Sequence, residues 1–333
     1  MDNCLSESNG MLATFFLITY NQEDYVREAI EGAFSQTYLP LEIVISDDCS
    51  TDGTFRIIEE MTEKYSGPHK LVVNRNLDNL GLIGHINMIT SLSSGELIIY
   101  AAGDDISLPH RTEKLVERYL ASGRSSSLLH SSVYLIDISG NRVGTRLPPV
   151  ISGCMDLGAM AVSGALIIGA TTAFTRKIED TFGPIHFSKC IEDLVMGFRS
   201  ALTGGLEYIP DPLILYRHES GITARSDIGN QTYGHWMKRE LLNKEIFLAV
   251  LAQRIEDLKR IGRVDFIPVL KSKRTEELLI RRVWARNYSM VKLLSYSVKR
   301  GLARVFLRSV IRAKKKQIFF PLKKLLHKMR IAS

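Results

Sequence analysis

Over the first hundred residues, short apolar runs alternate with amphipathic stretches, and this constrains the fold more than any other feature of the chain. Runs with strand character lie at Thr14–Thr19, Leu41–Ser46, Lys70–Val73 and Glu96–Ala101, and helix-like spacing covers 23–35, 54–65 and 82–93. Strands that are apolar nearly throughout need cover on both faces, which parallel strands joined by helical crossovers provide. The expected class is therefore α/β, with a mostly parallel central sheet flanked by helices. Asn21 is placed to cap the first helix and Asp52 the second. Further on, a helix runs from Pro109 to about Ala121, and strand-like runs occupy Ser127–Ile136 and Ala165–Phe174. Ile191–Ala201 is helical. Leu206–Ile209 and Leu213–Tyr216 read as two short strands divided by Pro210 and Pro212.

Charge divides the chain in two. Residues 1–226 carry 17 Lys and Arg against 28 Asp and Glu, whereas residues 227–333 carry 26 against 8. No acid follows Glu277, although 16 basic residues do. Such asymmetry points to an acidic body and a basic extension with a different task. From about Thr232 the pattern becomes long helical periodicity, and Ser226 to Asn230 reads as a linker, so a boundary is expected near Asp227. Four cysteines without a CxxC pair (Cys4, Cys49, Cys154, Cys190) argue against a zinc ribbon or disulfide framework. With no basic and apolar leader in the first ten residues, a reducing cytoplasmic location is expected. The uncharged run Leu157–Thr175 is rich in Gly, Ala, Ser and Thr and reads as buried strand and loop rather than a membrane span.

The chemistry lies in carboxylates at strand ends. Ile43 to Ser46 runs into Asp47-Asp48, and Leu97 to Gly103 runs into Asp104-Asp105. Ligands of open α/β sheets sit outside the carboxyl ends of the strands, so both pairs face one crevice. Adjacent carboxylates repel unless a cation lies near them, and hard oxygen ligands suit Mg2+ or Mn2+. Such an ion lets an acidic pocket accept a diphosphate. Phosphate loops of the GxGxxG and GxxxxGK[ST] kinds are absent, as are GxSxG and HExxH.

Several segments then occur in order: Leu17 to Asn21, Ser35 to Tyr38, IVISDDCSTDGT (43–54), NLGLIGHIN (79–87), GDDISLP (103–109), ATTAFTRKIEDTFGPI (170–185), IED (191–193) and LYRHESGIT (215–223). Together they resemble the family 2 glycosyltransferases of the GT-A fold, over roughly residues 12–225. The resemblance implies an inverting transferase that moves a sugar from a nucleoside-diphosphate sugar of the UDP or dTDP type to an acceptor hydroxyl. It implies that Thr19, Tyr20, Asn21, Asp48, Asn79, Gly81 and Asp104 bind the nucleotide sugar. Asp105 and His218 are implied as ligands of the metal, and Asp193, with Glu192 beside it, as the catalytic base. Ile18, Cys49, Ala102 and His85 depart from the family pattern, which commonly has Pro, Gly, an acid and Arg at those places.

In the basic extension Arg300, Arg304, Arg308 and Arg312 fall at intervals of four and are expected to form one stripe. Val291, Leu294, Val298, Leu302 and Val305 are expected to share another helical face. Lys314 to Lys316 follow, and then Phe319, Phe320, Leu322, Leu325 and Leu326 interleave with lysines. A basic helix of this kind suits an anionic membrane surface, while packing on the protein itself is the alternative. The expected setting is the cytoplasmic face of the cell membrane, with a glycan or lipid-linked glycan acceptor of the O-antigen or capsule kind and no nucleic acid partner. A catalytically weak nucleotide-sugar-binding assembly partner and a nucleotidyltransferase are the competing functions.

Overall fold

The computed structural model describes residues 10–150, 156–218, 232–285 and 288–331, with side chains to Phe319 in the last segment. The chain divides into two compact units, Met1–Ala224 and Arg225–Ser333. The boundary expected at Asp227 lies outside the described residues.

Among the described residues, nine strands of the first unit form one sheet. They are β1 (Ala13–Thr19), β2 (Leu41–Asp47), β3 (Lys70–Arg75), β4 (Leu97–Ala102), β5 (Ile106–Ser107), β6 (Leu128–Ile136), β7 (Arg142–Arg146), β8 (Ala173–Thr175) and β9 (Leu206–Arg217). Their order is β3-β2-β1-β4-β8-β6-β9-β5, with β7 paired to β6. The first four are parallel, β8 runs antiparallel to β4 and β6, and β6 and β9 are parallel. Every residue of β1 and β2 is buried, as their largely apolar character requires, and the buried Glu42 is met by Thr14, Lys70 and Ser94. Phe15, Leu17, Ile43, Ile45 and Ile99 pack on one face against Val26, Ala29, Ile30 and Ala33 of the helix Val26–Phe34 and Leu115 and Val116 of the helix Arg111–Ala121. Those helical positions recur at three and four residues, which makes the buried stripe. Each large apolar side chain so buried contributes about 1.5–3 kcal/mol.

Five expectations need correction. The first helix starts at Val26 rather than near Glu23, and Asn21 does not cap it. Asn21 takes a left-handed conformation (φ 49°), and its side-chain carbonyl accepts from Thr51 N at 2.8 Å. Asp52 precedes the cap position Gly53, and its carboxylate accepts from Thr54 N at 2.9 Å at the start of the helix Thr54–Glu63. The run 165–174 is strand only at Ala173–Thr175, because Thr171 N and Thr172 N close a turn on Ile168 and Gly169. Pro210 and Pro212 do not divide two strands. They sit at a register shift in β9, where Ser131 opposes Ile209 and Ser132 opposes Pro212, so the extra residues bulge and pairing resumes. Finally, Arg300 is not on the stripe of Arg304, Arg308 and Arg312. Gly301 (φ 68°) ends the helix Met290–Lys299, and a new helix, Ala303–Ile331, follows. Val291, Leu294 and Val298 are accordingly exposed on one helix, while Leu302 and Val305 pack in the core of the second unit with Trp284, Leu293 and Phe306.

The second unit is built from the helices Tyr233–Arg260, Ile267–Ala285, Met290–Lys299 and Ala303–Ile331. No helix among the described residues is long and apolar enough to cross a membrane.

Candidate functional site

The carboxyl ends of β1, β2 and β4 lie side by side, since Thr19 is in register with Asp47 and Ile18 with Ala102. Gly103 lets these ends close up: a Cβ there would meet Thr19 Cγ2 at 2.8 Å and the Gln22 side chain at 2.4 Å. Eight of the expected residues therefore gather in one region: Thr19, Tyr20, Asn21, Asp48, Asn79, Gly81, Asp104 and Asp105.

At the end of β2 both carboxylates are satisfied by the protein. Asp47 accepts from Ser50 N at 2.9 Å, Ser50 Oγ at 2.5 Å and Thr19 Oγ1 at 3.1 Å. Asp48 accepts from Asn76 Nδ2 at 2.8 Å and from Leu80 N and Gly81 N, each at 2.9 Å. Asn79 Oδ1 also accepts from Gly81 N, at 2.8 Å. Asp48 thus pins the 76–81 loop, and its charge is stabilised by three N–H donors. The hydroxyl of Thr19 is turned to Asp47, whereas Tyr20 is 43% exposed at the rim. Cys49 stands in a left-handed conformation (φ 61°), which explains why glycine is common there in the resembling family. His85 does not replace the arginine it displaces. It is buried, with Nε2 2.7 Å from Ser46 Oγ, and desolvation holds its pKa below the usual value.

At the end of β4 the pair is differently placed. Asp105 is buried and accepts from Arg217 N at 2.8 Å. Burial, and then the charge of Asp104, push its pKa well above the usual carboxylate value. Because β5 pairs with β9, Arg217 and His218 are carried to this pair. Arg217 is buried and ties the region together, donating to the carbonyls of Asp104, Asp137 and Ile138 and to Glu28 at 2.6 Å. His218 Nδ1 lies 3.1 Å from the carbonyl oxygen of Ile136, which fixes the proton on that nitrogen.

The third acidic pair opens the helix Glu192–Thr203, where the peptide dipoles favour negative charge. Its approach to the sheet needs Gly169: a Cβ there would meet Glu192 Oε1 at 2.5 Å and Asp193 Cβ at 3.5 Å. Glu192 is pushed up to about 8 by burial and by the charge of Asp193, and its Oε2 is buried without a hydrogen bond. Burial and the neighbouring carboxylate thus favour the protonated form of Glu192.

Tyr100 joins the two sets. It lies buried on β4, and its phenol is pushed well up by burial and by Glu192, Asp104, Asp105 and Asp193 together. One ring thus feels both acidic pairs. Beneath it, the buried Arg111 donates to Tyr100 O at 2.6 Å and to Ala170 O at 2.8 Å, linking β4 to the turn that carries Gly169. Desolvation lowers the Arg111 pKa to about 9, against the charge of Asp105. Sequence reasoning did not single out Tyr100, Arg111 or Gly169. Arg217 was visible only as the neighbour of His218, because a buried arginine has no periodic signature.

The comparisons with known proteins agree with this architecture. The family model described as "Glycosyl transferase family 2" matches residues 14–177. EpsE of Bacillus subtilis (strain 168), which carries the name of a glycosyltransferase, is 32% identical over 193 residues, 58% of this chain and 67% of that protein. The chain belongs to glycosyl transferase family 2. The succinoglycan biosynthesis protein ExoO of Rhizobium meliloti (strain 1021) is 28% identical over 59% of this glycosyltransferase and 53% of its own length. The match thus spans from about half to two thirds of these relatives. Among solved structures, Staphylococcus aureus TarS 1–349 in complex with UDP-GlcNAc aligns with a TM-score of 0.55 and 16% identity, covering 96% of this chain and 92% of that one. The mannosyltransferase PcManGT of Pyrobaculum calidifontis, in complex with GDP-Man and Mn2+, aligns with a TM-score of 0.51 and 14% identity, covering 95% and 87%. At such identities the likeness establishes the GT-A fold.

No group of three or more His, Cys, Asp or Glu able to hold a metal ion exists among the described residues. The donor set still fits a divalent ion of the Mg2+ or Mn2+ kind, which binds through one or two carboxylates and completes its shell with phosphate oxygens and water. Asp105, desolvated beside Asp104 and holding only one backbone donor here, is a carboxylate that such an ion would suit.

Proposed function

We propose that this family 2 glycosyltransferase moves a sugar, with inversion, from a nucleoside-diphosphate sugar of the UDP or dTDP type to a hydroxyl of a glycan acceptor, a lipid-linked glycan of the surface-polysaccharide kind. The names of ExoO and of the UDP-GlcNAc-bound TarS support a saccharide product and a nucleotide-sugar donor. The observation that carries the reading is the convergence of Asp104-Asp105 and Glu192-Asp193 around Tyr100. One carboxylate pair can thereby serve the leaving diphosphate while the other serves the attacking hydroxyl.

In this reading Asp48, Asn79 and Gly81, with Thr19, Tyr20 and Asn21, frame the nucleotide, and Asp104 lies by its ribose and diphosphate. Asp48 has acceptor capacity left for a base imide N–H beyond the three donors it holds. Asp105 and His218 would hold Mg2+ or Mn2+, which when bound offsets the charge growing on the departing diphosphate. Asp193 takes the proton from the acceptor hydroxyl as its oxygen attacks the anomeric carbon. Glu192 is less suited to that task, because burial and the charge of Asp193 favour its protonated form. The second unit, whose charge is basic, holds the enzyme at an anionic membrane surface on the cytoplasmic side. A panel of nucleotide sugars with Mn2+, scored for release of the nucleoside diphosphate with and without a glycan acceptor, tests the assignment. Release from one uridine or thymidine donor is the expected result, and no release from any donor would sink it.

A further inference from the structure

The second unit contains a cavity of about 150 Å3, lined among others by Lys244, Ile280, Trp284, Val305, Arg308 and Arg312. Its floor is apolar. Trp284 is buried and is held by its indole N–H, which donates to Ser309 O at 3.0 Å. Arg312 and Lys244 sit over the indole ring, 5.4 and 5.6 Å from its centroid.

The charges around the cavity do not balance. Glu276, which also lines it, is 3.0 Å from Lys273, and Lys244 is 2.5 Å from Glu277. Those four groups compensate one another. Arg312 reaches Glu240 only at 3.9 Å, and Arg308 makes no ion pair or hydrogen bond with any described residue. Two guanidinium groups one helical turn apart therefore stand in excess at the rim. Paired guanidinium forks match the oxygens of a phosphate better than any other cationic arrangement in proteins.

The outer face of the same helix says what carries that phosphate. At 3.6 residues per turn, Leu307, Ile311 and Ile318 fall within about 40° of arc, and they are 58%, 43% and 64% exposed. Arg304 and Lys315, with Arg308 at the cavity edge, occupy the next 40° or so, between that apolar stripe and the rest of the cavity lining. Apolar side chains for the acyl boundary, a basic row for headgroups and a phosphate-sized pocket thus follow one another around one helix.

We infer that this cavity seats the phosphate of an anionic glycerophospholipid, docked beside the helix Ala303–Ile331. The inference rests on the membrane reading above and deepens it, replacing diffuse attraction by a defined headgroup site. The glycerol backbone would lie against Trp284, Ile280 and Val305, and the phosphate between Arg308 and Arg312.

Flotation of the full-length chain on phosphatidylcholine vesicles with and without phosphatidylglycerol provides the test. Two charge-matched variants are compared, Arg308→Gln with Arg312→Gln in the cavity, and Arg304→Gln with Lys315→Gln outside it. Diffuse attraction gives about fivefold per cation wherever it lies, so the two would fall equally. The cavity predicts a partition coefficient at least about tenfold lower for the Arg308/Arg312 variant than for the control. Soluble dihexanoyl phosphatidylglycerol should also shift the tryptophan fluorescence saturably, while the phosphatidylcholine analogue and inorganic phosphate should not. Equal losses in the two variants overturn the cavity and leave the membrane reading standing. An equal response to inorganic phosphate overturns the lipid as the source. A wild-type chain that ignores anionic vesicles overturns both.

Discussion

Asp47-Asp48 and Asp104-Asp105 are spelled alike and stand at the ends of β2 and β4, the strands that flank β1 in one sheet, yet the fold treats them oppositely. The first pair is enclosed by donors from Thr19, Ser50 and the 76–81 loop. The second keeps one backbone donor for Asp105 and sits among further carboxylates around Tyr100. Carboxylates that the protein satisfies hold its shape, and those left desolvated among like charges are available to a ligand. The comparison can be broken by mutation, because the two pairs should fail in different ways.

The largest effect is expected at the third pair. Asp193→Asn should lower transfer about 10²–10⁴-fold, the range for loss of a general base, with nucleotide affinity and unfolding midpoint near those of the wild type. Glu192→Gln should do less in the same assay of diphosphate release. A reversal of the two would place the base at Glu192.

Next comes Asp105→Ala, for which metal-dependent turnover should fall at least about 10²-fold and donor affinity should weaken. Titration of turnover against Mn2+ reads both. Near-full turnover in a folded variant would remove Asp105 from the metal and bring the two strand ends closer in role.

Asp48→Ala should instead act on stability. It strands two N–H donors of the 76–81 loop, Asn76 Nδ2 and Leu80 N, while Gly81 N keeps Asn79 Oδ1, and each stranded donor costs about 1–3 kcal/mol when left unpaired in a buried place. Urea unfolding should show a loss of about 2–4 kcal/mol after partial access of water, with a raised KM. A loss of rate at unchanged stability would contradict the distinction drawn here.

The pH dependence of stability sharpens it further. Glu192 binds a proton in the folded state up to about 8 and in the unfolded chain only up to the ordinary value of 4.5. The folded state therefore holds more protons between these limits, and this group's contribution to stability falls as pH rises from 4.5 to about 8, then levels off. Glu192→Gln should flatten that part of the profile, as measured by urea midpoints across the range.

The smallest effect concerns Cys49. Glycine tolerates its left-handed conformation without the strain that a Cβ brings, so Cys49→Gly should gain about 1 kcal/mol in thermal or urea unfolding. It also gives up the weak contact of Sγ with Leu77 O at 3.4 Å, and a net loss of stability would show that this contact matters more than the backbone.

The amino-acid sequence by itself determined the parallel core and the acidic strand ends, because an apolar run bounded by Asp-Asp carries its burial and its polarity in adjacent residues. The break at Gly301 was likewise readable, as a glycine past a basic last turn, although regular arginine spacing obscured it. Only the tertiary structure decided which acids are satisfied. The donors to Asp48 come from 28 to 33 residues away and the donor to Asp105 from 112 residues away. Tyr100, Arg111 and Gly169 acquire their parts in the same manner, through the meeting of β4 with the turn at 169–171 and the start of the helix Glu192–Thr203. Hydrogen bonds and desolvation depend on which groups are brought within a few ångströms, and local sequence pattern does not encode contacts between segments so far apart.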